Sequence, residues 1–539
     1  MKRLILTLLQ LISFVFLTIP VSICLQGQSI NETADGHPEN CTSIMVGRLA
    51  TTDGSVITSH TCDGPYRTWL EIFPHSKYEK GTMHDVYRGL LYPGETPWDM
   101  RNVSKTGEIP EAEETYAFLN TAYPCLNEKQ LAIGETTISG RSELRNPEGI
   151  FYIEELEKIA LQRCKTAREA IALIGSLAEE YGYGDYAECI TIADPMEVWQ
   201  LEISGSGKGK PSAIWCAARI PDDQVGVSAN MPRIPAIDFN NPDMFIYSSN
   251  LRKVAKDLGY WDGREPLKFW KVISSFGKPF GMREYFILST LAPSLNLSGD
   301  SAELPFTVKP EHKLSARDVM KFFRETYEGT QWDITKNLMV TSGRSEEGEN
   351  APKIKSPVVS SWMSRDLQTL INELKPGTIT YRYSIAQNFC SYSHVIQCRS
   401  WLPEEVGAVA WFSFDNPALS PRIPIFSGVT KLPGSFGYCG QQRYLPEAAV
   451  WSFREANRLA VINWGEGRKL IEPAVRELED KAFDEMPGIE RKVTELVRAG
   501  KNDEAKRFVT GYTNNFALAA MKRWEELKIP LWTMFSQGF

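Results

Sequence analysis

The sequence predicts an α+β fold. Three observations carry that prediction: a strand-turn-strand pattern beginning at Cys41, further short strand candidates interrupted by one helical pair, and a long helical tail. Strands in runs with helices grouped between and after them favour layered α+β packing over a doubly wound parallel sheet.

In NCTSIMVGRLATTDGSVITSHTCDGP (40–65), SIMVGRLA alternates like a strand, TTDGS supplies a glycine-containing turn and VITSH resumes an extended run. This pattern reads as a hairpin. Further strand candidates are 68–73, 131–138, 189–193, 197–203, 213–219 and 223–229. Residues 153–181 show helical spacing with a break near Lys165. The segment 230–350, rich in proline, glycine and polar residues, is expected to form loops and insertions over the site. A second strand-rich region spans roughly 378–414, and 446–525 reads as helices with Glu, Lys and Arg at helical spacing. The expected organisation is a leader (1–24), a linker or propeptide (25–40), a main domain (41–445) and a C-terminal helical extension packed on it (446–539).

The leader is read from Lys2 and Arg3, the apolar run Leu4–Ile19, then Pro20 and Ser22, the plan of a secretory signal. It is too short to be preferred as a membrane span. The expectation is therefore a secreted or periplasmic protein with no membrane span. Cys24 follows the bulky Ile23, which disfavours lipid attachment there. Residues 25–40 are polar, turn-rich and without period. A net charge of −8 offers no basic footprint for nucleic acid. A homo-oligomer is left open by the sequence.

The familiar motifs are mostly absent. Six histidines include no HExxH pair, and there is no CxxC and no G-x-S-x-G. GSGKGK (205–210) lacks Walker spacing and reads as a hairpin tip. Cys390, His394 and Cys398 recur every fourth residue, but no fourth zinc ligand follows. No metal or cofactor is expected. Of ten cysteines, Cys24 lies at the leader boundary; setting Cys41 aside leaves an even number compatible with disulfides, as expected of an exported chain. Asn31, Asn102 and Asn296 sit in N-x-S/T sequons.

Cys41 admits two readings. It could pair with another cysteine, such as Cys62 across the hairpin, and composition alone favours this. Alternatively it becomes the first residue of the mature chain. Its thiol is then the nucleophile and its free α-amine, with a reference pKa of about 7.7–8.0, the general base. Such a device needs no histidine partner.

CTSIMVGRLATTDGSVITSHTCD resembles the opening of the dipeptidase A family of N-terminal-nucleophile hydrolases, related to secernins and distantly to choloylglycine hydrolases and penicillin V acylases. Three later stretches are similar in the same order: NEKQLAIGETTI (127–138), IPDDQVGVSANMPRI (220–234) and QCRSWLPEEVGAVAW (397–411). The resemblance tips the balance toward the catalytic reading of Cys41. It implies a four-layer αββα sandwich and hydrolysis of dipeptides or other small peptides. It also implies roles: Cys41 as nucleophile, Asp63 as the carboxylate that holds the terminal amine, Asn127 as oxyanion donor and Asn230 as a second polar group lining the cleft. Arg399 is a candidate for binding a substrate carboxylate. Bland readings stand beside these: turn-capping for Asp63, a turn residue for Asn127, a strand terminator for Asn230 and a surface position for Arg399. Where distant relatives carry arginine, this chain has His60, which could contact the thiol. It should then titrate near neutrality and add an inflection to activity between about pH 6 and 7. An N-acyl amide hydrolase of the same fold, and an inactive secreted binding protein, are the competing expectations.

Overall fold

The computed structural model describes residues 40–91, 94–209, 211–341 and 352–538. The expected leader, and the linker up to residue 39, lie outside the described residues. The chain is α+β, with two large antiparallel sheets and helices packed against them.

The first sheet has seven strands in the order Thr307–Val308, Val225–Ser228, Asn40–Val46, Val56–Asp63, Cys390–Cys398, Ala408–Phe414 and Ile423–Phe426. The hairpin predicted at the start is present and central. In it Cys41 lies opposite Cys62, and Asn40 opposite Asp63. The second sheet has eight strands: Phe245–Tyr247, Ala213–Ile220, Val198–Gly205, Glu188–Ala193, Ala132–Thr137, Leu126–Asn127, Phe118–Asn120 and Glu71–Phe73. Central strands of both sheets are buried along their whole length, such as Val56–Asp63 and Val198–Gly205. Burial on both faces explains why their sequences read as apolar or small runs rather than strict alternation.

The inner strands of one sheet pack on those of the other. They approach closely at Gly134, where a Cβ would lie 2.5 Å from the Ser59 carbonyl oxygen. Only glycine lets the two backbones meet there, directly before Glu135 and one residue from His60 on the facing strand.

Helices Ile153–Arg163 and Ala167–Tyr181 lie against the second sheet. The break expected near Lys165 is the cap between them: Thr166 and Glu169 form a capping box that satisfies the open N–H groups of the second helix. The GSGKGK stretch links Val198–Gly205 to Ala213–Ile220, as its hairpin reading expected.

Helices Ala449–Ile462, Trp464–Arg498 and Asn502–Thr533 fill the tail and pack on one another, on Ala408–Phe414 and on Ile423–Phe426. Trp411 stacks on Phe483 at 4.2 Å, placing an aromatic pair between sheet and helix. Buried Asp415, just past Ala408–Phe414, accepts from Arg454, Arg458 and Asn457 of the first tail helix. No helix among the described residues is long and apolar enough to cross a membrane.

The segment 230–350 is irregular over most of its described length and also carries the short helices Leu251–Asp257, Phe269–Ile273, Met282–Leu291 and Ala316–Phe322. Two expectations need correction. Strand pairing in the second strand-rich region begins at Cys390, not near 378. The nine cysteines among the described residues are all buried and form no disulfide. Cys41 and Cys62 are cross-strand neighbours but not bonded to each other.

Candidate active site

Cys41 is the second residue of its strand and fully buried, with the Val56–Asp63 strand on one side and Val225–Ser228 on the other. Val225–Ser228 ends at Ala229–Asn230, where Asn230 takes a left-handed conformation with φ of 65°. Asparagine tolerates this geometry better than most residues. The turn brings its carboxamide back onto the neighbouring strand: Cys41 N–H donates to Asn230 Oδ1 at 2.8 Å, and Asn230 Nδ2 donates to the Thr137 carbonyl at 2.8 Å.

Sequence reasoning missed the second holder of Cys41. Arg283, in the first turn of helix Met282–Leu291, is buried and donates from Nη1 to the Cys41 carbonyl at 2.7 Å and to Thr42 Oγ1 at 3.2 Å. Its Nη2 donates to Asn230 Oδ1 at 2.9 Å and to the Ala229 carbonyl at 3.1 Å. The planar fork of guanidinium suits this four-acceptor cluster, which a lysine could not serve. Glu284 fixes the same corner from the next position, accepting the Ala229 N–H at 2.9 Å and the Gly281 N–H at 2.9 Å. Helix and turn are thus joined by side chains of both signs.

Asp63 is fully buried at the end of its strand. Thr61 Oγ1 donates to its Oδ2 at 2.9 Å, while Oδ1 has no hydrogen-bond partner. Burial pushes its carboxyl up to about 7; hydrogen bonds from Cys390 and Thr61 and the charge of Arg283 oppose but do not cancel that effect. Cys390 is brought to Asp63 by an irregularity in strand pairing: it lies opposite Asp63, and the register then skips to Tyr392 opposite Cys62. Bulges of this type often aim side chains at sites. The Cys41 thiol is held protonated: burial raises its pKa well above the usual range, and Glu135, Cys62 and Asp63 add to the rise.

His60 is close, but not as a neutral-range titrating group. Its ring nitrogens make no hydrogen bond, and Nε2 lies 3.7 Å from Glu135 Oε2. Tyr123, Tyr392 and His394 surround the ring. Burial lowers its pKa to about 3, so the expected inflection between pH 6 and 7 does not belong to His60. Asp63 occupies that range instead.

Cys41, His60 and Glu135 each offer a ligand atom within 4.8 Å of the others, and all three are buried. This set offers a sulfur, an imidazole nitrogen and a carboxylate oxygen, donor types that a thiophilic divalent cation takes. Cys390, His394 and Cys398 share one strand but not one such cluster.

Two predicted site residues are engaged elsewhere. Asn127 donates from Nδ2 to the carbonyls of Leu161 and Cys164 at 2.8 and 2.9 Å and accepts from the N–H groups of Lys129 and Leu131. It caps the end of helix Ile153–Arg163 and ties it to a turn, with no donor left over for an oxyanion. Arg399 follows Cys398, at the opposite end of its strand from Asp63. Its guanidinium donates to the Gly407 and Val406 carbonyls and pairs with Glu490 of a tail helix. Its charge fastens tail to sheet and is not presented to a ligand.

The arrangement holds one residue by its main chain. Asn230 takes the nitrogen, Arg283 the carbonyl, and Asp63, opposite the preceding residue, keeps a carboxylate oxygen unpartnered. If the peptide bond before Cys41 were absent, the nitrogen would be a primary amine within reach of the Cys41 thiol.

Comparison with known proteins places the chain in a family. Residues 40–477 match the model of Peptidase family C69. The chain is 25% identical over 427 residues to a "Probable dipeptidase" of Latilactobacillus sakei, covering 76% of this chain and 77% of that protein. It is 22% identical over 475 residues to "Probable dipeptidase B" of Streptococcus pyogenes serotype M1, covering 84% and 82%. Identity to "Probable dipeptidase B" of Lactococcus lactis subsp. lactis is 24% over 427 residues, covering 74% and 76%. The chain belongs to Peptidase family C69.

Proposed function

We propose that this C69-family peptidase is an exported cysteine dipeptidase, in which Cys41 becomes the N-terminal residue and works through both its thiol and its own α-amine. The observation that carries this reading is that Asn230 and Arg283 grip the main-chain nitrogen and carbonyl of Cys41. An ordinary nucleophile needs its side chain positioned. Here the backbone nitrogen is positioned as well, which has a use once that nitrogen is an amine.

The chemistry follows. The amine takes the thiol proton as sulfur attacks the scissile carbonyl carbon. The tetrahedral intermediate collapses as the ammonium returns a proton to the leaving amine, and the C–N bond breaks to leave a thioester. Water, deprotonated by the same amine, attacks the thioester, and the freed acid leaves with the thiol restored. Asn230 Oδ1 orients the amine, and Asp63, opposite Asn40 on the neighbouring strand, supplies the carboxylate next to the new chain end. Arg283 fixes the Cys41 carbonyl so that neither can drift. Asn127 acts at a distance, by holding the turn that leads into Ala132–Thr137.

Before cleavage the nitrogen is an amide, which cannot accept a proton, and the thiol is protonated. Latency of the precursor is therefore built into the covalent structure. Self-cleavage would proceed by attack of the Cys41 thiol on the Asn40 carbonyl carbon. The C–N bond breaks as sulfur takes the acyl group, and the nitrogen takes the thiol proton to become the amine. Water then hydrolyses the thioester, which frees the thiol and leaves Asn40 as a carboxylate. The two facing sheets with outer helices fit an αββα sandwich of the N-terminal-nucleophile type, with the three tail helices as an extension of one outer layer.

The test is turnover of a free dipeptide against its N-acetylated form. The dipeptidase reading expects hydrolysis of the free dipeptide and little of the acetylated one. The reverse preference assigns an N-acyl hydrolase.

A further inference from the structure

Glu135 and His60 meet beside the Cys41 thiol, one from each of the two facing sheets. All three side chains are fully buried, and one ligand atom from each lies within 4.8 Å of the others. His60 Nε2 stands 3.7 Å from Glu135 Oε2, too far for a hydrogen bond between them. Neither ring nitrogen of His60 has a hydrogen-bond partner. Buried polar atoms are nearly always satisfied, so an imidazole buried with both nitrogens bare asks for a ligand. Thr137 Oγ1 donates to Glu135 Oε1 at 3.1 Å, and Oε2 is the oxygen turned toward His60.

This corner suits a donor. Burial lowers the His60 pKa to about 3, so the ring is neutral and one of its nitrogens accepts. A carboxylate only accepts. Two acceptors at this separation are bridged by a single nitrogen that carries several N–H bonds. The α-nitrogen of a peptide's first residue lies two bonds, roughly 2.5 Å, from the carbonyl carbon of that residue. One residue can thus place its carbonyl carbon at the Cys41 sulfur and its nitrogen at the neighbouring acceptors.

We propose that Glu135 and His60 together bind the α-ammonium of a dipeptide's N-terminal residue, which restricts the enzyme to substrates with a free amino end. The inference rests on the dipeptidase reading and deepens it. Cleavage before Cys41 removes Asn40 from its place opposite Asp63, and the substrate's first residue enters by the vacated strand end. Its ammonium donates to Glu135 Oε2 and His60 Nε2. Burial, and after it the charge of Glu135, raises the thiol pKa, and an ammonium beside that carboxylate offsets the second effect. Substrate binding then eases transfer of the thiol proton to the Cys41 amine. An N-acyl substrate brings no cation and leaves the carboxylate charge standing against the thiolate. An arginine at position 60 would repel the ammonium, whereas a neutral histidine accepts from it.

The test compares alanyl-leucine with isobutyryl-leucine, in which a methyl group replaces the ammonium. Processed wild-type protein should prefer alanyl-leucine. In Glu135→Gln the ratio of the two kcat/KM values should fall roughly ten- to a hundredfold, the loss of one charge-assisted contact, with isobutyryl-leucine turnover retained. An unchanged ratio in processed Glu135→Gln overturns the proposal and leaves the dipeptidase reading intact. Should that variant fail to fold or to be processed, inhibition of the wild type decides. Alaninol should inhibit at a concentration at least roughly tenfold below that of isobutanol, its isostere without the charge. Equal inhibition by the two overturns the proposal. A wild-type enzyme that prefers isobutyryl-leucine sinks the dipeptidase reading itself, and this assignment with it.

Discussion

The main-chain N–H of Cys41 donates to the carboxamide oxygen of Asn230 at 2.8 Å, across 189 residues of sequence. The same oxygen accepts from Arg283. Losing it frees the nitrogen and leaves a buried guanidinium short of an acceptor. Asn230→Ala should lower kcat/KM by roughly a hundredfold or more, in the range seen when one preorganised polar group is removed from an active site. Steady-state kinetics on a dipeptide check this, and a loss below tenfold would remove Asn230 from the site.

Arg283→Lys keeps the charge but not the fork that reaches the Cys41 and Ala229 carbonyls together. Activity should drop nearly as far as in Arg283→Ala, because one ammonium cannot serve acceptors spread over two strands. Recovery of near wild-type kcat in the lysine variant would show that charge alone matters.

In the unprocessed chain burial lifts the Asp63 carboxyl to about 7 and takes His60 down to about 3. The pH–rate profile of His60→Gln should therefore keep any inflection near pH 7. Asp63→Asn should lose activity and, in the unprocessed chain, gain stability at alkaline pH. The sign follows from linkage: a carboxyl whose folded pKa is raised contributes stability present below about pH 4 and lost as pH rises through about 7. Thermal unfolding of unprocessed protein at pH 4 and pH 8 measures it. A variant no more stable than its parent at pH 8 would contradict the assignment.

Asp415 carries the opposite sign. Burial alone would raise it, but the charges of Arg458 and Arg454, with hydrogen bonds from Arg454 and Asn457, hold its carboxyl below the usual range. Its stabilisation is present above about pH 4 and lost as pH falls through the folded value. Asp415→Ala leaves two arginines facing a buried gap and should destabilise by about 3–5 kcal/mol. Denaturant unfolding decides it; a cost under 1 kcal/mol would mean that the tail helices are held by apolar packing alone.

The hairpin, the capped break at Thr166 and the tail helices were legible because each has a local signal: alternation, a capping pair, helical spacing. Cys41, Asp63 and Asn230 were singled out by the family resemblance alone, since taken singly they read as a structural cysteine, a turn-capping aspartate and a strand terminator. Arg283 was not. It lies 242 residues from Cys41, in a stretch whose prolines and glycines disguise a ten-residue helix, and nothing local announces that its side chain crosses to another strand. Asn127 and Arg399 show the converse error. Their residue types suit catalysis and binding, but only the folded backbone reveals that nearby carbonyls and Glu490 already occupy them.

The N-terminal residue of fully active protein is the most direct test of the account. Intact mass and N-terminal sequencing should find Cys41 first, with Cys41→Ala inactive. Full activity from protein that still carries Asn40 in peptide linkage to Cys41 would contradict the account.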